Sequence, residues 1–236
     1  MSAFAVYVAA TVVLWATSAA MALVLAVLLA AGGRSPRRPV RIVAGSLTTL
    51  TRGVPTSLLV IAAGTFAMGT PPPGWLPNPF PGTPDGMVVV AWSIVAALAF
   101  GSAGHLGVIL RSAYESLGEH WHEQVRTMGS STRMTLALVV REVIPAGLPP
   151  VGARLVHHLH NTAFAALFPV ADLFGWVQLQ ANTTFEVTHY AVVGALGYVV
   201  LSGAIWGACR LIEARVAGDR RVRRRPPAVA AVAVPR

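Results

Sequence analysis

Arg154, His157, His158, His160, Asn161 and Thr162 bring hydrogen-bonding and ionisable groups into the otherwise apolar stretch Leu148 to Phe168. On a helix Arg154, His157, His158 and Asn161 fall at i, i+3, i+4 and i+7 and share one stripe. If a membrane span begins near Leu148, a rise of ~1.5 Å per residue puts His160 roughly 18 Å in, close to mid-membrane. Ionisable groups at that depth are costly in lipid, so they face protein or a water-filled path. Arg154 could instead snorkel to the interface, and His157 and His158 could simply hydrogen-bond between helices. A rival from another class is metal or haem ligation in a membrane oxidoreductase, using the H-x-x-H of His157 and His160 with His120 and His122. That pattern is thin. Two imidazoles alone lie at depth, the other pair sits in a charged loop, and neither a carboxylate nor Cys209 joins them.

Composition defines the elements that must position this stripe. Of 236 residues 55% are hydrophobic and 11% charged, which excludes a water-soluble domain and marks an integral membrane protein. Every basic residue other than histidine is Arg. A formal net charge of +9 could suggest nucleic acid, but the arginines lie between and after the apolar runs, with no folded soluble face to gather them. The single Cys209 excludes an internal disulfide and gives no metal pattern.

From the N-terminus, Phe4 to Ala31 is a first span with no basic region before it, too long for a signal-peptide core and so expected to be retained. A basic loop follows with Arg34, Arg37, Arg38 and Arg41. Ile42 to Thr51 reads as an interfacial half-helix, Arg52, Gly53 and Pro55 as a structural break, and Thr56 to Met68 as span two. Gly69 to Gly86 is saturated with Pro and Gly and cannot be helical. Its Trp75 and Phe80, with no Arg, suit an external loop at the interface. Met87 to Leu110 is span three, whose Gly101, Gly104 and Gly107 permit close helix approach. Leu148 to Phe168 is span four, Val170 to Thr188 an Arg-free connection, and Tyr190 to Ile212 span five. Residues 216–236 form a basic tail expected to be cytosolic and disordered, serving as a stop-transfer anchor that attracts anionic lipid.

Ser116 to Pro145 is the one long charged segment between apolar runs. Ser116 with Glu119 forms an S-x-x-E box that opens a helix, and Gly129 closes it. Trp121, Val125 and Met128 share one face of this helix; Glu119, Glu123 and Arg126 point elsewhere. An amphipathic segment resting in the headgroup layer would look the same. Ser130, Ser131 and Thr132 offer new caps for a second run that Pro145 interrupts. Placing every Arg-bearing loop on one side puts the N-terminus outside, 32–51 and 111–145 inside, 69–86 and 169–188 outside and the C-terminus inside. No nucleotide-binding fingerprint is present, so energy coupling must come from a partner.

Several segments match one known family in order. Glu123 to Gly129 resembles the E-A-A-x-x-x-G loop of ABC-importer permeases, keeping the Glu and the Gly. Arg52-Gly53-Val54-Pro55 with Ser57-Leu58-Leu59-Val60 resembles the R-G-T-P-L-L-V-Q that starts the second span in polar amino-acid ABC permeases. Leu148-Pro149-Pro150-Val151-Gly152 is similar to their L-P-P-L-G, and His160-Asn161-Thr162-Ala163-Phe164-Ala165 to their [HK]-x-T-[SA]-L-A. The match runs from about residue 10 to residue 215. Both alanines of the loop are replaced, the L-P that follows it is absent, and Val108 stands where an acidic residue is often found.

The resemblance implies an all-α integral membrane protein of the type I ABC importer permease fold: a permease domain over 1–215 with five transmembrane helices and a cytosolic coupling helix. It implies a transport subunit with no ATPase motif of its own, in the bacterial inner membrane. ATP and Mg would be bound by partner subunits and no cofactor by this chain. The partners would be two ABC ATPase subunits, a second permease (identical or not) and an extracytoplasmic solute-binding protein, within the lipid bilayer and without nucleic acid. Glu119, Trp121, Glu123, Val125, Arg126, Met128 and Gly129 would couple to the ATPase. Arg154, His157, His160, Asn161 and Thr162 would line a path for the carboxylate of an amino acid or a derivative. A non-amino-acid solute is the alternative.

Overall fold

The computed structural model describes residues 3–118, 121, 123, 127 and 132–223. Among them there is helix, turn and loop, and no strand. Helix α1, Ala3–Gly33, is the expected first span. Its few polar side chains bond back one turn, as lipid demands: Thr17 Oγ1 donates to the Val13 carbonyl at 2.8 Å and Ser18 Oγ to that of Leu14 at 2.7 Å.

The break at Gly53 and Pro55 is present. Helix α2, Arg38–Gly53, meets α3, Thr56–Ala67, at 95°. Pro55 has no N–H to continue α2 and sits at the N-cap of α3. Helix α2 starts earlier than expected, at Arg38, and leaves Ile42, Val43, Leu47 and Leu50 exposed, the surface of a helix lying along an interface.

Residues 69–84 contain no helix, yet the loop is a fitted cap. Asn78 Nδ2 donates to the Thr83 carbonyl and to Asp85 Oδ1, Trp92 Nε1 donates to the Pro77 carbonyl, and Phe80 is buried edge-on against Trp92.

Helix α4, Val88–Glu115, is the centre of the bundle. Its Ile94 and Leu98 pack with Leu14 and Val60, and its Leu106 with Ala22 and Ala26. The glycine face works as the sequence suggests: a methyl on Gly101 would meet Thr56 Oγ1 at 2.8 Å, and one on Gly104 would overlap Thr51 Oγ1. These absences of a side chain let the α2–α3 elbow close onto α4.

Helix α5, Thr132–Asn161, departs from expectation, because Pro145 does not interrupt it. Pro145, Pro149 and Pro150 all lie inside one helix. Membrane helices tolerate this where neighbouring groups satisfy the freed carbonyls. Ser116 also departs: it ends α4, with Oγ donating to the Ala113 carbonyl at 2.8 Å, and Gly118 at φ 79° follows. Ser116 has helical dihedrals, φ -67° and ψ -12°, where an N-cap needs an extended backbone; its partner in the expected box, Glu119, lies outside the described residues.

A 3-10 turn over Thr162–Leu167 ends α5, and the connection beyond it holds helix α6, Leu173–Thr184, which hydropathy did not suggest. Helix α7, Val187–Arg223, continues past Ile212 into the basic region assigned to the tail. Helices α1, α4 with its preceding turn, and α7 are each long and apolar enough to cross a membrane, and α2 with α3 passes as one bent span.

Candidate functional site

The polar stripe of α5 is divided by depth in the bundle. His158 is fully buried and ties three helices: Nε2 lies 2.8 Å from Ser18 Oγ of α1, and Nδ1 2.7 Å from Ser102 Oγ of α4. Ser18 gives its own proton to the Leu14 carbonyl, so it accepts from Nε2–H, while the Ser102 hydroxyl donates to Nδ1. That is the Nε2–H tautomer of a neutral imidazole. Trp15 Nε1 adds a bond to the Leu155 carbonyl at 3.1 Å.

Arg154 leans on the same network. Its guanidinium donates to the Gly101 carbonyl at 3.3 Å and, more weakly, to Ser102 Oγ at 3.5 Å, and its buried Nε has no partner. Among the described residues no ion pair to Arg154 forms. His157, one turn on, is exposed. His160 is exposed as well, with Nε2 3.2 Å from Ser202 Oγ and its ring edge-on to Tyr198 of α7. Asn161 is buried with Nδ2 unpartnered, and Thr162 is buried with its hydroxyl donating to the Leu159 carbonyl.

Two further groups complete this face. His105 of α4, half-buried, lies within electrostatic reach of Arg154, His157 and Arg52. Arg52 is exposed at the elbow, its stem against Gly104. The break that Gly53 and Pro55 make therefore delivers Arg52 to the stripe, and Arg52, His105, Arg154, His157 and His160 occupy one polar flank. Sequence reasoning singled out neither His105 nor the serine partners of His158. An isolated His or Ser in an apolar helix is a usable signal, but its partner comes from another helix.

Among the described residues no three His, Cys, Asp or Glu side chains gather, and His160 is turned to α7; His120 and His122 of the metal reading lie outside the described residues.

Of the coupling residues, Trp121 and Glu123 are described; Glu119, Val125, Arg126, Met128 and Gly129 lie outside the described residues. Trp121 packs edge-on against Tyr114, whose ring lies 3.9 Å beneath the Arg34 guanidinium. Arg111 Nε donates to Glu115 at 2.7 Å, and Arg34 reaches the same carboxylate at 3.9 Å. The end of α1, the end of α4 and the start of the charged loop thus meet in one exposed cluster.

On the opposite side Asp172, fully buried, caps α6. Its Oδ2 accepts from the Phe174 N–H and Oδ1 from that of Gly175, at 3.0 and 3.1 Å, and Thr11 Oγ1 accepts from the Leu173 N–H at 2.7 Å. Burial pushes the Asp172 carboxyl up to about 7, against the two backbone bonds that favour its ionised form.

The chain is similar to the Escherichia coli (strain K12) arginine ABC transporter permease protein ArtM, at 25% identity over 126 residues, 53% of this chain and 56% of that protein. It thus spans about half the length of the curated relatives it matches. Among solved structures, an amino acid ABC transporter with histidines shares the fold at a TM-score of 0.69 and 20% identity, covering 87% of this chain and 90% of that one. An inward-facing methionine ABC transporter, MetNI, does so at 0.65 and 15%, covering 90% and 94%. The model of the family described as binding-protein-dependent transport system inner membrane component matches residues 22–218, and the chain belongs to that family.

Proposed function

We propose that this chain is the membrane-spanning permease subunit of an ABC importer, forming the path for a small polar solute, an amino acid or a derivative, and driven by separate ATPase subunits. The observation that carries this reading is the polar flank. Arg52, His157 and His160 are exposed on a bundle that also exposes apolar side chains such as Leu58, Ile61, Leu196 and Val199, and ionisable groups at membrane depth do not face lipid. A second permease covering the flank would enclose them around a water-filled path. The arginine permease and the amino acid and methionine transporters named above support the choice of solute.

The chain crosses the membrane five times in this account, α2–α3 and the outer part of α5 supplying the second and fourth spans. The N-terminus lies outside and the C-terminus inside. The loop between α4 and α5 holds the coupling helix: Trp121, Val125 and Met128 seat in a cleft of the ATPase, with Glu123 and Arg126 at its rim. Closure of the ATPases on ATP swings the spans between two access states. Two ATPases, a second permease and an extracytoplasmic binding protein complete the assembly. The test substitutes Glu123→Arg and Gly129→Pro in the full chain. Membrane insertion is expected to persist while transport is lost. Unchanged co-purification of the ATPase with the Gly129→Pro chain would refute the docking assignment.

A further inference from the structure

We infer that the path selects solutes of net negative charge, carboxylates whose remaining groups do not outweigh them, and rejects cations such as arginine. This rests on the permease reading above and adds the charge class of the solute.

The sequence has nine acidic residues: Asp85, Glu115, Glu119, Glu123, Glu142, Asp172, Glu186, Glu213 and Asp219. None lies within 3–33, 42–67, 88–114, 148–168 or 187–212, the stretches that cross or line the membrane. Asp172, the one fully buried among the described residues, spends both oxygens on the N-terminus of α6. A cation moving along these stretches therefore meets no carboxylate of theirs; the one at their margin, Glu213, shares a pocket with Arg210 beside Leu148 and Gly152. Transferring an uncompensated charge into such a setting is what a membrane opposes most.

The groups it does meet carry positive charge or donate hydrogen bonds. From α5 come Arg154, His157 and His160; from α4, His105; from the elbow, Arg52. His158 is turned inward onto Ser18 and Ser102. Helix α1 faces the network with Ser18 and Trp15, and α7 with Tyr198 and Ser202; neither adds a charge there. Arg154 is held by a carbonyl and a hydroxyl and keeps a buried, unpartnered Nε. A guanidinium so placed has fork donors to spare for a carboxylate. Its neighbours His105 and His157 are within electrostatic reach and, as neutral imidazoles, add hydrogen-bonding nitrogens without adding negative charge. The positive potential comes from Arg154 and Arg52; an anion is drawn to it and a cation repelled.

The experiment is equilibrium binding of radiolabelled L-glutamate, L-glutamine and L-arginine to the purified permease–ATPase complex without binding protein. Glutamate is expected to bind most tightly and arginine least. Arg154→Gln is expected to weaken glutamate by about tenfold or more, and Arg154→Lys to restore most of it, which a loss of folding would not allow. Arginine bound as tightly as glutamate, or no glutamate binding at millimolar concentration, overturns the inference while the ATPase still accompanies the chain. A chain that purifies without any ATPase takes the permease reading down with it.

Discussion

His158 Nδ1 lies 2.7 Å from the Ser102 hydroxyl, joining the helix that carries the polar stripe to the central helix of the bundle. Through the other ring nitrogen the same imidazole reaches Ser18 of α1. His158→Leu removes the bridge and leaves two buried hydroxyls without their partner, which costs about 2 to 4 kcal/mol. Thermal melts in detergent check this. Ser18→Ala and Ser102→Ala together with His158→Leu should cost less than the sum of the single changes, because the three act as one network.

The elbow of α2 and α3 depends on Gly104. Gly104→Val places side-chain atoms where Thr51 Oγ1 and the Thr48 carbonyl stand, and a backbone oxygen cannot move aside as a side chain can. Overpacking of this kind costs about 1 to 3 kcal/mol. The substitution should lower the melting temperature more than Gly45→Val, whose position has no neighbour within 4 Å.

Asp172 gives its end of the bundle a pH dependence. Its carboxyl is raised from 3.8 to about 7 in the folded chain, so the folded state holds the proton more tightly than the unfolded one. Stability is then fully present below the unfolded value and declines as pH rises through the window between 3.8 and about 7. The slope is at most about 1.4 kcal/mol per pH unit. Asp172→Asn should flatten this part of the profile of melting temperature against pH; an unchanged slope would show that another group sets it.

Orientation is open to labelling, because Cys209 is the only cysteine. In a Cys209→Ser background, Trp75→Cys should react with a membrane-impermeant maleimide in intact cells. Ser35→Cys should react only after the membrane is opened. The reverse pattern would invert the whole topology and place the α4–α5 loop outside.

Much of this architecture is written in local features. The apolar length of α1, the Gly53–Pro55 break and the Pro-rich cap at 69–84 each follow from hydropathy or from proline's missing donor, so the residues concerned announce them. Pro145 misleads for the same reason: its local rule ends a helix, whereas packing inside the bundle lets α5 pass through it. Ser116 misleads because a serine can close one helix or open the next, and its backbone dihedrals, which make it the end of α4, are not written in its side chain. Helix α6 is hidden although Asp172 is a local cap, because the face it buries, Leu173 and Val177, packs on Gly197 and Gly194 of α7, and that partner is distant in sequence. The stripe at 154–161 is legible as a helix face, but which of its members are spent on structure is decided by Ser18, Ser102 and Ser202, each on a different helix.

The most direct measurement is the composition of the assembly purified from native membranes through a tag on the full chain, with its ATP hydrolysis. An ABC ATPase is expected in equal amount with the permease subunits taken together, held through the α4–α5 loop and hydrolysing ATP in the purified complex. A chain that purifies intact with no ATP-hydrolysing subunit would contradict it.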